Sequence, residues 1–242
     1  VDAGGFYRRG KFPGTHARMA LYETEAPGLA KRAVAALKRE IQTDTLDDIT
    51  HLVVASCTGF TAPGLDLQLA ADLGLRPDVQ RTLVGFMGCS AAVPGLRDAC
   101  PAVHADPAAR VLVVNLELCS LHLQETSDLN SLLSLTLFAD GASAALVTAR
   151  PAGIALLDFL AIIIPHSSDL ITWHLGDQGF NMHLSGQVPR RISEALREEI
   201  QELGTVKPRD GEEAMTQVVN AVRQLEAAGE ISLNIPEEDG DG

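Results

Sequence analysis

Aromatic and basic residues are scarce in this 242-residue chain. Phe, Trp and Tyr make up only 4% of it, so a core has to be built mainly from the Ala, Val and Leu that dominate its 46% hydrophobic content. Only 19 Lys and Arg stand against 32 Asp and Glu, which gives a net charge of −13. A charge of this sign argues against nucleic acid or an anionic membrane as a partner.

Cysteine pairs and long apolar runs are also missing. The four cysteines, Cys57, Cys89, Cys100 and Cys119, form no C-x-x-C pair, so neither a zinc site nor any other metal site is expected. The longest apolar run, "IALLDFLAIIIP", contains Asp158 and is too short to span a bilayer. With no signal-like segment at the start, we expect a soluble cytoplasmic protein with reduced thiols.

Apolar strand-like segments alternate with amphipathic helical ones. This alternation predicts an α/β fold, with a mostly parallel sheet between helices and antiparallel additions at its end. In the first helix, residues 15–42, the Pro27-Gly28 pair predicts an interruption. The other helical segments are "GLDLQLAADLGL", "SAAVPGLRDACPAV", "LNSLLSLTLF" and residues 187–203. The predicted strands are "THLVVASC", "RTLVGFMGC", "ARVLVVNLEL", "ASAALVTA" and "GIALLDFLAIII".

The acidity is concentrated near the C-terminus. Residues 192–242 hold 13 acidic and 4 basic side chains, a net of −9 of the total −13. We therefore predict two domains, an α/β domain over 1–200 and a helical acidic appendage over 201–242 whose end is disordered.

The stretch "LVGFMGCSAAVPGL" places Cys89 where an apolar strand meets a helix rich in small residues. A thiolate is stabilised by the dipole and free N–H groups of a helix N-terminus, and Gly88 permits a tight turn before it. The same N–H groups can stabilise an oxyanion during acyl transfer. An inert, packed cysteine explains the spacing equally well.

Four motifs occur in an order that resembles a bacterial type III polyketide synthase, a relative of the chalcone synthases. The resemblance covers residues 5–200, and it implies a thiolase-like layered fold, a homodimer, and acyl-CoA starters extended with malonyl-CoA without a cofactor. Cys89 matches the cysteine that carries the growing chain in this family. The motifs are "VVASCTGFTAPGLDLQLAADLGL", "RTLVGFMGCSAAVPGLRDA", "ARVLVVNLELCSLHLQETSDLNSLLSLTLFADGASAALV" and "LITWHLGDQGFNMHLSGQVPRRI".

The resemblance also implies a set of substrate-binding positions around the catalytic Cys89. Cys57 and Cys119 are equally compatible with ordinary core thiols, and His122 with a satisfied interior histidine. A methionine in place of an aromatic gatekeeper implies a more adaptable cavity wall. The substrate-binding positions are Cys57, Gly88, Cys119, His122, Phe138 and Met182.

The family's catalytic histidine and asparagine have no counterpart in these 242 residues. They belong to an "HPGG"-like and a later "GN"-containing segment that follow the "GQVP" helix, whereas the last histidine here is His183, before that helix. Neither Asn220 nor Asn234 lies in such a context. We therefore expect an incomplete thiolase fold, its N-terminal half, with little or no condensing activity by itself.

The segment "GTVKPRDGEEAMTQVVNAVRQLEAAGEISL" resembles the C-terminal end of the flagellar motor switch protein of the G type. This opens an alternative, a non-catalytic fragment or fusion whose acidic C-terminal helix binds a protein partner. A divergent acidic tail explains the same residues. A further alternative is another thiolase-like condensing enzyme, such as an initiating ketoacyl synthase, although the "CTGF" and "LELCSLHLQ" segments favour the polyketide branch.

Overall fold

The computed structural model describes residues 5–159 and 161–203 of the chain. Within these residues every predicted helix and all but one of the predicted strands are confirmed. The helices are α1 (Thr15–Glu40), α2 (Leu65–Asp72), α3 (Ala92–Ala105), α4 (Leu129–Leu137) and α5 (Val188–Leu203). The strands are β1 (His51–Ser56), β2 (Gln80–Gly85), β3 (Val111–Leu118), β4 (Asp140–Val147), β5 (Ile171–Gly176) and β6 (Gly179–Leu184).

Four strands form one sheet in the order β2-β1-β3-β4. Strands β1, β2 and β3 run parallel, and β4 pairs antiparallel with β3. Strands β5 and β6 form a separate antiparallel hairpin. The predicted mostly parallel sheet with antiparallel additions is thus confirmed.

The sheet is covered on both faces, as parallel sheets require. Side chains alternate along each strand, so Leu52 and Leu112 lie in the core shared with α1 and α2, whereas Val53 and Val113 pack with Ala99 of α3. The result is a helix–sheet–helix sandwich, and the carboxyl ends of its three parallel strands point to one edge.

Helix α1 is continuous through Pro27, so the predicted interruption is wrong. A proline inside a helix removes one backbone hydrogen bond, at a cost of roughly 3 kcal/mol. Pro27 is buried, as are Ala26 and Ala30 on the same face, and Tyr22 and Val34 extend this face into the core. Burial of the whole face offsets the lost hydrogen bond.

The predicted strand over "GIALLDFLAIII" is also wrong, because the described residues of this segment contain no strand. Ile154 and Ile163 are 92% and 95% exposed. An apolar, β-branched composition favours an extended backbone, but a strand also needs a neighbouring strand with which to form hydrogen bonds. No described strand lies beside this segment.

The chain divides into two units at Pro189, 1–189 and 190–242. The first contains both sheets. The described part of the second is the helical segment 190–203, where Arg190 forms an ion pair with Glu194 at 2.8 Å. The predicted acidic appendage beyond residue 203 lies outside the described residues, so its disorder and the boundary after residue 200 stay predictions. No described helix is long and apolar enough to cross a membrane.

Candidate active site

A cavity of about 950 Å³ opens at the carboxyl ends of the parallel strands, the edge at which α/β sheets bind ligands. Cys57 and Thr58 follow β1, Gly88 and Cys89 follow β2, and Cys119 follows β3. Helix α4, the β5–β6 hairpin and the turn after β3 supply most of the remaining lining residues: Tyr7, Glu117, Ser120, His122, Leu123, Gln124, Glu125, Thr126, Ser131, Ser134, Leu135, Leu137, Phe138, Ala139, Trp173, Phe180, Asn181 and Met182.

The structure brings all seven sequence-predicted site residues together around this cavity. Phe138 directly follows α4, and Met182 lies on β6 in register with Trp173 of β5. Their roles stay predictions, but residues from distant parts of the chain do meet at one place, as the resemblance implies.

Cys89 lies in a tight turn between β2 and α3. The turn is a single 3-10 turn, Gly88–Ser90, closed by a hydrogen bond of 3.1 Å from the Ala91 amide to the Gly88 carbonyl. Gly88 has a φ of +69°, a conformation that glycine adopts without a steric penalty. The Cys89 side chain is exposed, so the thiol is accessible from the cavity.

Two further thiols line the same cavity, and both are more buried than Cys89. The Cys57 thiol lies 3.8 Å from the Gly88 carbonyl oxygen. Burial, and then the nearby Glu117 carboxylate, raises the pKa of Cys57. The same two causes, in the same order, raise the pKa of Cys119 to about 11. Both thiols are therefore protonated at neutral pH.

Iodoacetamide should alkylate Cys89 before the other thiols. The thiolate is the reactive form, and burial raises the pKa of Cys100 as well as those of Cys57 and Cys119. At pH 8 we expect the rate at Cys89 to exceed that at Cys119 by at least about tenfold. A time course of labelled tryptic peptides measures all four rates, and equal rates at Cys89 and Cys100 would contradict this prediction.

Glu117 is a cavity residue that the sequence analysis missed. Both of its carboxylate oxygens accept a hydrogen bond from the Cys57 amide, at 3.0 and 3.1 Å. Burial raises the pKa of Glu117, and hydrogen bonds from Thr58 and Cys57 oppose that rise. The carboxylate thus joins the end of β3 to the end of β1. The strand "VLVVNLEL" is apolar except for Asn115 and Glu117, and these two polar positions were the available signal.

His122 has both ring nitrogens occupied. Nε2 lies 2.6 Å from the Thr58 carbonyl oxygen, which can only accept, and Nδ1 lies 3.1 Å from the Phe180 amide, which can only donate. These partners fix the neutral tautomer with hydrogen on Nε2. Burial lowers the pKa of His122, and the hydrogen bond to Thr58 opposes that decrease only in part. The ring lines the cavity, but neither nitrogen is available as a general base.

The free energy of unfolding should fall as the pH drops below about 6.5, the ordinary pKa of histidine. The unfolded chain then binds a proton at His122 that the folded chain excludes, so the slope reaches at most about 1.4 kcal/mol per pH unit for this group. Urea unfolding between pH 8 and 5.5 measures it. His122→Gln should flatten the profile, whereas His104→Gln, at an exposed position, should leave it unchanged. Parallel profiles for wild type and His122→Gln would contradict the assignment.

Arg18 of α1 is fully buried and supports the turn that carries Cys119 and His122. Its Nη1 donates to the carbonyl oxygens of Leu121 at 2.6 Å and Leu123 at 2.9 Å. Its Nε donates to the Pro13 carbonyl at 2.9 Å, and Nη2 has no hydrogen-bond partner among the described residues. This guanidinium therefore fixes one wall of the cavity from behind.

An aromatic cluster packs against His122 at this cavity, and the sequence analysis missed it. Phe180 is stacked between His122, with ring centroids 4.0 Å apart, and Trp173, with centroids 4.4 Å apart. Trp173 in turn contacts Phe86, at 5.5 Å between centroids. The alternation in "ITWHL" and "GFNMHL" around a short polar turn is a hairpin signal that could have located Trp173 and Phe180.

No three His, Cys, Asp or Glu side chains in residues 5–159 and 161–203 come together as a metal site. What the cavity offers is an exposed thiol at a strand-to-helix turn, two protonated thiols, the carboxylates of Glu117 and Glu125, and a predominantly apolar wall. This arrangement suits a covalent thioester with an acyl group better than it suits a charged ligand.

Residues 9–151 match the family described as chalcone and stilbene synthases, N-terminal domain. The chain belongs to this family. It is 34% identical over 186 residues to the alpha-pyrone synthesis polyketide synthase-like Pks18 of Mycobacterium tuberculosis, an alignment that covers 72% of this chain and 46% of the relative. The chain thus spans about half the length of this curated relative. The relatives identify it as type III polyketide synthase-like, with a thiolase-like layered fold.

Solved structures agree with this assignment. The type III polyketide synthase domain of Steely1 from Dictyostelium superimposes with a TM-score of 0.73 at 28% identity, over 78% of this chain and 53% of that one. The 1,3,6,8-tetrahydroxynaphthalene synthase of Streptomyces coelicolor gives 0.71 at 30% identity, over 81% and 56%. Residues 174–233 also match the FliG C-terminal domain. This range includes residues 204–233, the segment that resembles the flagellar motor switch protein.

Proposed function

We propose that this chain is the acyl-accepting part of a bacterial type III polyketide synthase, in which Cys89 receives an acyl group from a CoA thioester. The observation that carries the proposal is the exposed Cys89 thiol at a strand-to-helix turn, opening into a largely apolar cavity within the stretch that matches the family. In this proposal the protein acts in the cytoplasm as a homodimer, the oligomeric state that the resemblance implies, and it requires no cofactor.

The proposed step is a thioester exchange. The Cys89 thiolate attacks the carbonyl carbon of the acyl-CoA, the tetrahedral oxyanion collapses, and the CoA thiolate leaves and is protonated by solvent. The first turn of α3 leaves backbone N–H groups without helical acceptors, and these can stabilise the oxyanion. Gly88 keeps the approach to the sulfur open.

The remaining predicted positions hold the acyl group in this proposal. Phe138 and Met182 supply apolar contact, and Met182 adapts to chains of different shape. Cys57 and Cys119 stay protonated, because burial raises the pKa of each, so they do not compete with Cys89 for the acyl group. His122 contributes a ring edge to the wall.

Incubation with hexanoyl-CoA tests the proposal. Intact-protein mass spectrometry should detect one hexanoyl group per chain, and tandem mass spectrometry of the digest should locate it on Cys89. An acyl group found on Cys100 instead, or no adduct after prolonged incubation with excess thioester, would reject the proposed function.

We expect the 242 residues by themselves to stop at the acyl-enzyme. They contain no counterpart of the histidine and asparagine that the family uses to decarboxylate malonyl-CoA and stabilise its enolate. Adding malonyl-CoA to the hexanoylated chain should therefore leave the adduct mass unchanged and release no polyketide. A polyketide product that disappears in Cys89→Ala would contradict this expectation.

A second candidate function rests on the match of residues 174–233 to the FliG C-terminal domain. Under this proposal the acidic C-terminal segment binds a protein partner. A pull-down tests this proposal. It compares how much purified flagellar motor protein is retained by the full chain and by a chain that ends at Leu203. Equal retention by both chains would reject it.

A further inference from the structure

Phe86 has a strained backbone conformation three residues before the nucleophile. Its φ is +59°, in the left-handed region that glycine adopts readily and bulky side chains rarely do. Such strain persists only where the surrounding structure holds it, and it is concentrated at functional sites. A contact with the surrounding structure therefore has to hold Phe86 in place.

The Trp173 ring contacts the Phe86 ring. The two ring centroids lie 5.5 Å apart, with the rings tilted by 52°. Phe86 is nevertheless 58% exposed, so burial in a core does not explain its conformation. The contact with Trp173 gives this exposed side chain a packing partner.

Trp173 is itself held firmly from its other side. It is stacked on Phe180 at 4.4 Å with an interplanar angle of 14°, and Phe180 is stacked on His122 at 4.0 Å with 9°. The Phe180 amide donates to Nδ1 of His122, whose Nε2 is bonded to the Thr58 carbonyl at the end of β1. A continuous series of contacts thus links the central sheet to Phe86.

Trp173 also lines the cavity into which Cys89 opens. We infer that Trp173 is a positioning residue, whose ring holds Phe86 and thereby fixes the turn that presents the Cys89 sulfur to the apolar cavity. This inference rests on the proposed function, because the positioning matters only if an acyl group is held in that cavity. The positioning itself can be measured without any CoA thioester.

Alkylation by two reagents separates positioning from simple reactivity. Iodoacetamide is small and reaches an exposed thiol from many directions, whereas N-hexyl iodoacetamide must place its chain in the apolar cavity while the sulfur attacks. We expect saturable alkylation of wild-type Cys89 by the hexyl reagent. Trp173→Ala should lower its maximal rate by at least about tenfold while the half-saturating concentration changes little.

The iodoacetamide rate at Cys89 should change far less in Trp173→Ala, and Cys100 in the same chain reports any general unfolding. Trp173→Phe keeps a ring against Phe86 and should restore most of the hexyl rate. Phe86→Ala should reproduce the loss seen in Trp173→Ala, and the double variant should lose little more than either single one, because both remove the same contact.

Trp173 is the only tryptophan in the chain, so its fluorescence provides a direct spectroscopic check. The emission maximum should shift to the red in Phe86→Ala and should change when Cys89 carries the hexyl group. Unchanged emission in both cases would contradict the contact on which the inference rests.

Three other outcomes would overturn the inference: no saturation in wild type, equal maximal rates in wild type and Trp173→Ala, or additive losses in the double variant. Failure of the proposed function is distinct, because it appears as no transfer from hexanoyl-CoA while hexyl alkylation still depends on Trp173. The converse result, transfer from hexanoyl-CoA with no dependence on Trp173, would reject only the positioning role.

Discussion

Cys89→Ala should abolish the covalent acyl-enzyme. With hexanoyl-CoA, the wild-type chain should gain one acyl group, and the variant should keep its original mass, because burial keeps the thiols of Cys57 and Cys119 protonated. Burial raises the pKa of Cys57, and it raises that of Cys119 to about 11, so at pH 7.5 their thiolate fractions are far too small to replace Cys89. Intact-protein mass spectrometry measures the difference directly.

Cys100→Ala is the matched control, since Cys100 lies on α3 but does not line the cavity. This variant should be acylated at the wild-type rate. Cys89→Ser should react at least about a hundredfold more slowly than wild type, because a serine hydroxyl that has no general base beside it is a much weaker nucleophile than a cysteine thiol. Persistent acylation of Cys89→Ala would show that the family assignment of the nucleophile fails here.

Arg18→Leu should be among the most destabilising single substitutions in the chain. It removes the donors for the Pro13, Leu121 and Leu123 carbonyls, each of which costs roughly 1–3 kcal/mol when buried without a partner. Burial lowers the pKa of Arg18, so its charge is itself unfavourably placed, and removing that charge offsets part of the loss. We expect a net decrease of about 3 kcal/mol in the free energy of unfolding.

Equilibrium unfolding in urea measures this change. Arg18→Lys should not restore stability, because a single ammonium group cannot span the separated carbonyls that the planar guanidinium reaches. Arg76→Leu is the control, since Arg76 is exposed and pairs only with Asp78 on its own loop, and its unfolding midpoint should stay close to wild type. If Arg18→Leu unfolds at the wild-type midpoint, the three carbonyls are not held by Arg18.

The position of Cys89 could be predicted because its placement is encoded locally. A strand, a glycine and a run of small residues follow one another in "RTLVGFMGCSAA", and the structure has the strand, the turn and the helix there. The buried strands were equally clear, since β1 and β3 are nearly continuous β-branched and apolar runs, the pattern of strands covered on both faces.

The wrong or missed predictions share one cause: the structure of each segment depends on which other segments it packs against. Residues 153–164 have the composition of a strand, but the described part of that segment has no neighbour to pair with. Pro27 predicts a break that tertiary packing overrides. Trp173 and Phe180 belong to a short hairpin of mixed polarity, and only the fold brings them against His122 and Phe86, far away in sequence.

The central placement of β1 has a consequence for hydrogen exchange. Strand β1 has a parallel partner on each side and helices over both faces, whereas β2 and β4 each leave one edge unpaired within the described sheet. Amide protons of Leu52 to Ala55 should therefore exchange only when the whole domain unfolds, and those of β2 should exchange through smaller openings. The slowest amides in β1 would then report the global stability of this domain without any denaturant.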